Sequence, residues 1–149
     1  MAAVLGDEMP FLTAIDLRND TYNEKNWIVL SVLMYDNKRF GDVDSIPKGF
    51  VSDLASVPRV PVAYEMFGGR GNGPAVIHDW NYRTGFRSRV ASDLTFLDGM
   101  KDINLPWYIR EPMYLGVRWG GWITYNRHKK ARERGEQPWE IIDVEPYIY

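Results

Sequence analysis

Apolar and polar positions divide the chain into a β-rich first part and a helical second part. Phe11 to Arg18 is a short strand candidate, and the polar stretch Thr21 to Asn26 leads from it into Trp27–Tyr35, WIVLSVLMY. That run places Trp27, Val29, Ser31, Leu33 and Tyr35 on one face and Ile28, Leu30, Val32 and Met34 on the other. Both faces are largely apolar, the signature of a strand buried on two sides, so the run predicts one central strand. A turn at Asp36, Asn37 and Lys38 returns the chain through Arg39 to Asp44. Pro47, Pro58 and Pro61 then forbid long regular structure, leaving a tight extended segment pinned by Phe50, Val51, Leu54 and Val57.

After a glycine-rich loop, Gly68 to Gly73, the period changes to that of helices. Pro74 suits a first helical position, and Ala75, His78, Asp79 and Tyr82 share one stripe up to a stop at Gly85. Ser88 is an N-cap candidate for a second helix reaching Ile103, with Val90, Leu94, Phe96, Leu97 and Met100 on a broad apolar face. Asn104 to Pro106 breaks the pattern. A third helix is expected over residues 111–134, beginning near Glu111 and Pro112, with Met113, Val117, Gly120, Gly121 and Thr124 along one side. Residues 138–149 read as an extended tail that returns to the sheet or reaches a neighbour. The expectation is one α+β domain over residues 1–149: a small N-terminal antiparallel sheet (residues 1–62 mainly β) packed on about three helices (residues 72–134 mainly α).

Composition narrows the chemistry. With 149 residues, 45% of them hydrophobic, the chain can build one core. A net charge of −2 offers no field to gather nucleic acid, and no run approaches the roughly 20 apolar residues of a membrane span, so neither a nucleic-acid partner nor a transmembrane segment is expected. Without cysteine, disulfides, thiolate metal sites and a cysteine nucleophile are excluded. The N-terminus lacks a basic stretch followed by an apolar run, which suggests a soluble protein made in the cytoplasm. Arg127 to Arg134 is basic where a helix dipole is negative, so a solvated helix end, with His128 in it, is the expectation.

The candidate chemistry lies between Gly68 and Met100. Asp93, on the apolar face of the second helix, is expected to be buried, and a buried carboxylate needs a partner, which His78 on the preceding helix can supply. The pair reads either as a catalytic site or as a polar tie between two helices. Asp53 reads equally as a cap and as a site residue, while Ser56 lacks the Gly-x-Ser-x-Gly surroundings of a nucleophile elbow. The carbonyls of Gly69 and Gly71, with Asp79 and Asp53, form an oxygen-rich set suited to a hard cation such as calcium.

Two resemblances add to this reading. Ile46 to Phe50 with Ser52 to Arg59, then Ala75 to Asp79 with Tyr82, then Asp93 and Phe96, resemble a phage-associated family known as domain of unknown function 1353. That implies a small protein encoded by tailed phages and prophages, often among structural or lysis functions. The shorter pattern His78-Asp79-x-x-Tyr82 followed by Asp93 resembles the core of phospholipase A2 enzymes. That resemblance implies His78 as general base, Asp79 as calcium ligand, Asp93 as the carboxylate that orients the histidine, and Tyr82 as its hydrogen-bond partner. Two functions are therefore expected in order: a tail or baseplate protein of the virion, with Trp107, Trp119, Trp122 and Trp139 as candidates for contact with other virion proteins, each equally explicable as core, or a calcium-type hydrolase acting on an ester or amide of the host envelope.

Overall fold

The computed structural model describes residues 9–54 and 71–148. Its first part is two small antiparallel sheets. One has the strand order β1 (Leu17–Asn19), β2 (Trp27–Val29), β5 (Val51–Ser52); the other is the hairpin β3 (Leu33–Asn37) with β4 (Asp42–Ile46). The single central strand expected over Trp27–Tyr35 is thus two strands in two sheets, broken by a bend at Leu30 and Ser31. A continuous strand would need cover on both faces along its whole length. Instead Ile28 and Val29 are both buried in β2, whereas β3 alternates, with Leu33 and Tyr35 inward. Bending at Ser31 lets one apolar run serve a sheet covered on both faces at β2 and a hairpin covered on one.

The second part is helical: α1 (Asn72–Thr84), α2 (Arg89–Asp102), α3 (Trp107–Glu133) and a short α4 (Glu145–Ile148). α1 starts two residues before Pro74, and the first intrahelical donor is the Ala75 amide, bonded to the Gly71 carbonyl at 3.1 Å, so the proline still displaces no hydrogen bond. Gly85 ends α1 in the left-handed conformation, φ 68°. Ser88 caps α2, its hydroxyl accepting from the Ala91 amide at 3.2 Å. α3 begins at Trp107, four residues before the expected start, with Pro112 inside it. Pro106, extended at φ −66° and ψ 153°, is the boundary that the later proline was expected to mark.

α1 is the hub. It packs on α2, α3, β4 and β5, and residues 72–79 are buried without interruption. One apolar cluster joins Val29, Leu33, Ile46 and Phe50 of the β part to Val76, Ile77, Phe96, Met100 and Val117 of the helices. The tail returns to the sheet as expected: Ile141 bridges Phe50, and the Ile142 amide donates to the Gly49 carbonyl at 2.9 Å. Gly49 has φ 91°, and a Cβ there would lie 2.3 Å from the Ile142 carbonyl oxygen, so the crossing requires glycine twice over. Beyond it the tail coils into α4 instead of staying extended to residue 148.

Candidate functional site

α1 carries polar side chains on several sides, and His78, Asp79, Asn81 and Tyr82 each meet a carboxylate or hydroxyl of another element. Three buried aspartates organise these contacts, Asp93 on α2, Asp79 on α1 and Asp44 on β4.

Around Asp93, His78 Nε2 lies 2.7 Å from Oδ1, and the Tyr82 hydroxyl donates to that same oxygen at 2.6 Å. Arg118 of α3 donates to Oδ2 at 2.6 Å, and Arg89 stands 3.6 Å away. Burial alone would raise the Asp93 carboxyl, but the hydrogen bonds from His78, Tyr82 and Arg118 overcome it and hold the group below the usual carboxylate range. An ionised carboxylate only accepts, so the facing hydrogen sits on His78 Nε2. Burial and the Asp93 contact push the Tyr82 phenol up. His78, Tyr82 and Asp93 all have 0% exposed surface, and the imidazole packs on the Phe96 ring at 5.1 Å. The close fit depends on Gly121 of α3, where a Cβ would stand 2.4 Å from the Tyr82 hydroxyl oxygen.

Asp79 and Asp53 do converge, but on a guanidinium. Arg83 donates from Nε to Asp79 Oδ1 at 2.8 Å and from Nη2 to Asp53 Oδ1 at 2.9 Å, while the Ser52 hydroxyl takes Asp79 Oδ2 at 2.6 Å. Burial pushes the Asp79 carboxyl up against the opposing pull of Arg83 and Ser52. Gly71 contributes its carbonyl to the first turn of α1, eight residues and so about 12 Å along the axis from Asp79. Gly69 and Ser56 lie outside the described residues. Among the described residues no three His, Asp or Glu side chains gather as a metal site, and the Asp79 oxygens, both engaged, do not fit a calcium ion as they stand. Beside this pair Leu54 adopts φ 55°, a left-handed conformation uncommon for a bulky residue, with its amide on the Ser52 hydroxyl at 3.3 Å.

The third network was not anticipated. Asp44 accepts from Asn81 at 3.0 Å, Asn37 at 2.8 Å and both Nε and Nη2 of Arg87 at 2.9 Å, and Asn37 also donates to Thr95 at 2.9 Å. The available signal was an aspartate between Val43 and Ile46 in a return strand, where alternation turns it inward. His128 also departs from expectation. It is buried, and burial followed by the nearby Arg83, Arg127 and Arg132 charges pushes its imidazole down to about 4.

The outer face of α3 is the opposite case. Trp107, Tyr108, Leu115, Trp119, Trp122 and Ile123 are all exposed, Trp119 to 80%. Trp139, by contrast, is half-buried and packs edge-on against Trp80, with ring centres 6.2 Å apart. No helix is long and apolar enough to cross a membrane among the described residues.

A family model described as protein of unknown function (DUF1353) matches residues 27–117, more than half of the chain. The matched stretch holds all three buried aspartates and ends one residue short of Arg118. No curated protein and no solved structure matches.

Proposed function

From the premise that this chain belongs to the DUF1353 family, whose description names no activity, we propose that it is a structural component of a tailed-phage virion, in the tail or baseplate, working by contact with other virion proteins. The observation that carries this reading is the outer face of α3, where three tryptophans stand 53–80% exposed on a helix whose other side is locked into the core. Exposed aromatic residues are costly in water and are the residues favoured at interface cores. The protein would be made in the host cytoplasm and reside in the particle. Mass spectrometry of purified virions tests this. The chain is expected in the particle, and Trp119→Ser should lower its incorporation while leaving the melting temperature within about 2 °C. Absence of the chain from purified particles refutes the reading.

One observation favours a second reading, a hydrolase of a host-envelope ester or amide. Asp93 Oδ1 is shared by His78 Nε2 and Tyr82, an arrangement that fixes the orientation of the imidazole as a general base requires. Asp79 could serve a calcium ion there only by exchanging Arg83 for it, and the sealed imidazole would need an opening to water. Turnover of lipid esters or peptidoglycan that is lost in His78→Asn would establish this reading. Unchanged turnover in that variant refutes the mechanism.

A further inference from the structure

The outer face of α3 has a second regularity. Tyr108, Pro112, Leu115, Trp119, Trp122 and Asn126 follow one another at spacings of four, three, four, three and four residues. That alternation draws a narrow, nearly straight seam along a helix, the kind another helix covers lengthwise at a shallow angle. Four exposed rings, Trp107, Tyr108, Trp119 and Trp122, offer on the order of 500 Å². Leu115 and Ile123 bring this near the roughly 800 Å² that each partner contributes to a stable interface.

Charge along the helix says what covers it. The outward face is uncharged over most of residues 107–123 and becomes cationic at Arg127, Lys129 and Lys130. The acidic exception is Glu111, which keeps only a loose 3.6 Å contact with Arg110. Glu111 and Lys129 are 18 residues apart, five full turns, so they lie on the same flank of the seam. In two antiparallel helices, residues on the same flank face each other. A copy of α3 rotated by a twofold axis near residue 120 therefore sets Glu111 against Lys129 at both ends of the seam and Trp119 against its counterpart near the middle. A parallel copy would instead gather both sets of Arg127, Lys129 and Lys130 at one end of the seam, like charge beside like.

We propose that the protein forms a twofold homodimer in which the α3 seams pair antiparallel, with the Trp119 and Trp122 rings at the centre and Glu111–Lys129 ion pairs at the ends. This rests on reading the outer face of α3 as a protein contact surface, and it names the first partner as a second copy. The interface is isologous and closes on itself, so it yields a dimer and no filament.

The test is the solution mass of the full chain by light scattering at tens of micromolar, with virion incorporation measured separately. The expected mass is twice 17.3 kDa. Trp119→Glu with Trp122→Glu should give a folded monomer. Glu111→Lys should weaken association at least tenfold, and adding Lys129→Glu to it should restore association. Because the chain has no cysteine, direction can be read by oxidation: Glu111→Cys and Lys129→Cys chains, mixed, should crosslink with each other and neither with itself. That crosslink also decides the matter if the double glutamate variant fails to fold. A monomeric wild type overturns the dimer, including one that instead sediments with vesicles of anionic phospholipid. A dimer indifferent to the charge swap, or crosslinked between like positions, overturns the antiparallel seam. Incorporation into particles by a monomer would leave the virion role standing and refute only the dimer.

Discussion

His78 is held by a carboxylate that Tyr82 and Arg118 also engage, and that makes its removal more than the loss of one contact. With His78→Ala, Asp93 keeps Tyr82 and Arg118 but loses the donor on its buried side, at a cost of about 1–3 kcal/mol. Asp93→Asn should cost a similar amount, and the double variant clearly less than the sum, because both remove the same bond. Chemical denaturation of the three variants measures this coupling; strict additivity would mean that the two groups do not act as a unit. Titration gives a second handle. The Asp93 carboxyl sits below its ordinary value of 3.8, so its contribution is complete above that pH and is lost as pH falls through the lower, folded value. His128 acts earlier. Its imidazole is favoured neutral in the fold, so stability is complete above about 6.5, declines as pH drops, and is gone near 4. It faces Arg83 from α1, Asp53 beyond β5, and Arg127 and Arg132 on its own helix. In His128→Asn the melting temperature should be flatter between these two pH values than in the parent protein. At Asp79, calorimetry with millimolar calcium should show no binding heat while Arg83 holds the carboxylate; stoichiometric heat would show that the ion can displace it.

Elements were legible in the sequence where their ends carry chemical signals and illegible where tertiary packing overrides them. Gly85 and Ser88 mark the junction of α1 and α2 because left-handed φ and a hydroxyl cap are properties of single residues. The pairing of His78 with Asp93 was likewise readable from helix spacing and the need of a buried acid for a partner. The bend at Ser31 was not, because nothing local distinguishes a strand with two buried faces from two strands in different sheets. Arg118 and the Asp44 network were hidden for the same reason: their partners are distant in sequence. Pro112 misled through its own strength as a helix breaker. Inside α3 it cannot donate to the Tyr108 carbonyl, so Pro112→Ala should restore that bond and raise thermal stability, by up to about 3 kcal/mol. Gly121 is the reverse case. Gly121→Ala forces a methyl group onto the Tyr82 hydroxyl and should cost about 1–3 kcal/mol despite the better helix propensity of alanine, as thermal melting would show.

At the scale of the whole molecule, α1 is wired to its surroundings by direction-dependent bonds: to α2 through His78 and Tyr82, to β4 through Asn81, to β5 through Asp79. Apolar packing tolerates small slips of one element over another; charged hydrogen bonds of 2.6–3.0 Å do not, so these contacts fix a single arrangement even where they add little net stability. The closing of the sheet by the tail carries a different consequence, one of timing. Gly49 and Val51 take their partners from Glu140 and Ile142, some ninety residues further along the chain. During synthesis the β3–β4 hairpin can form from neighbours, but the open edge of β5 stays uncovered until everything through Ile142 has left the ribosome. Loop closure over that distance is entropically slow and leaves an unpaired strand edge exposed in the meantime. The interval just before the last strand-like segment arrives is therefore when the nascent chain presents this open edge to other chains.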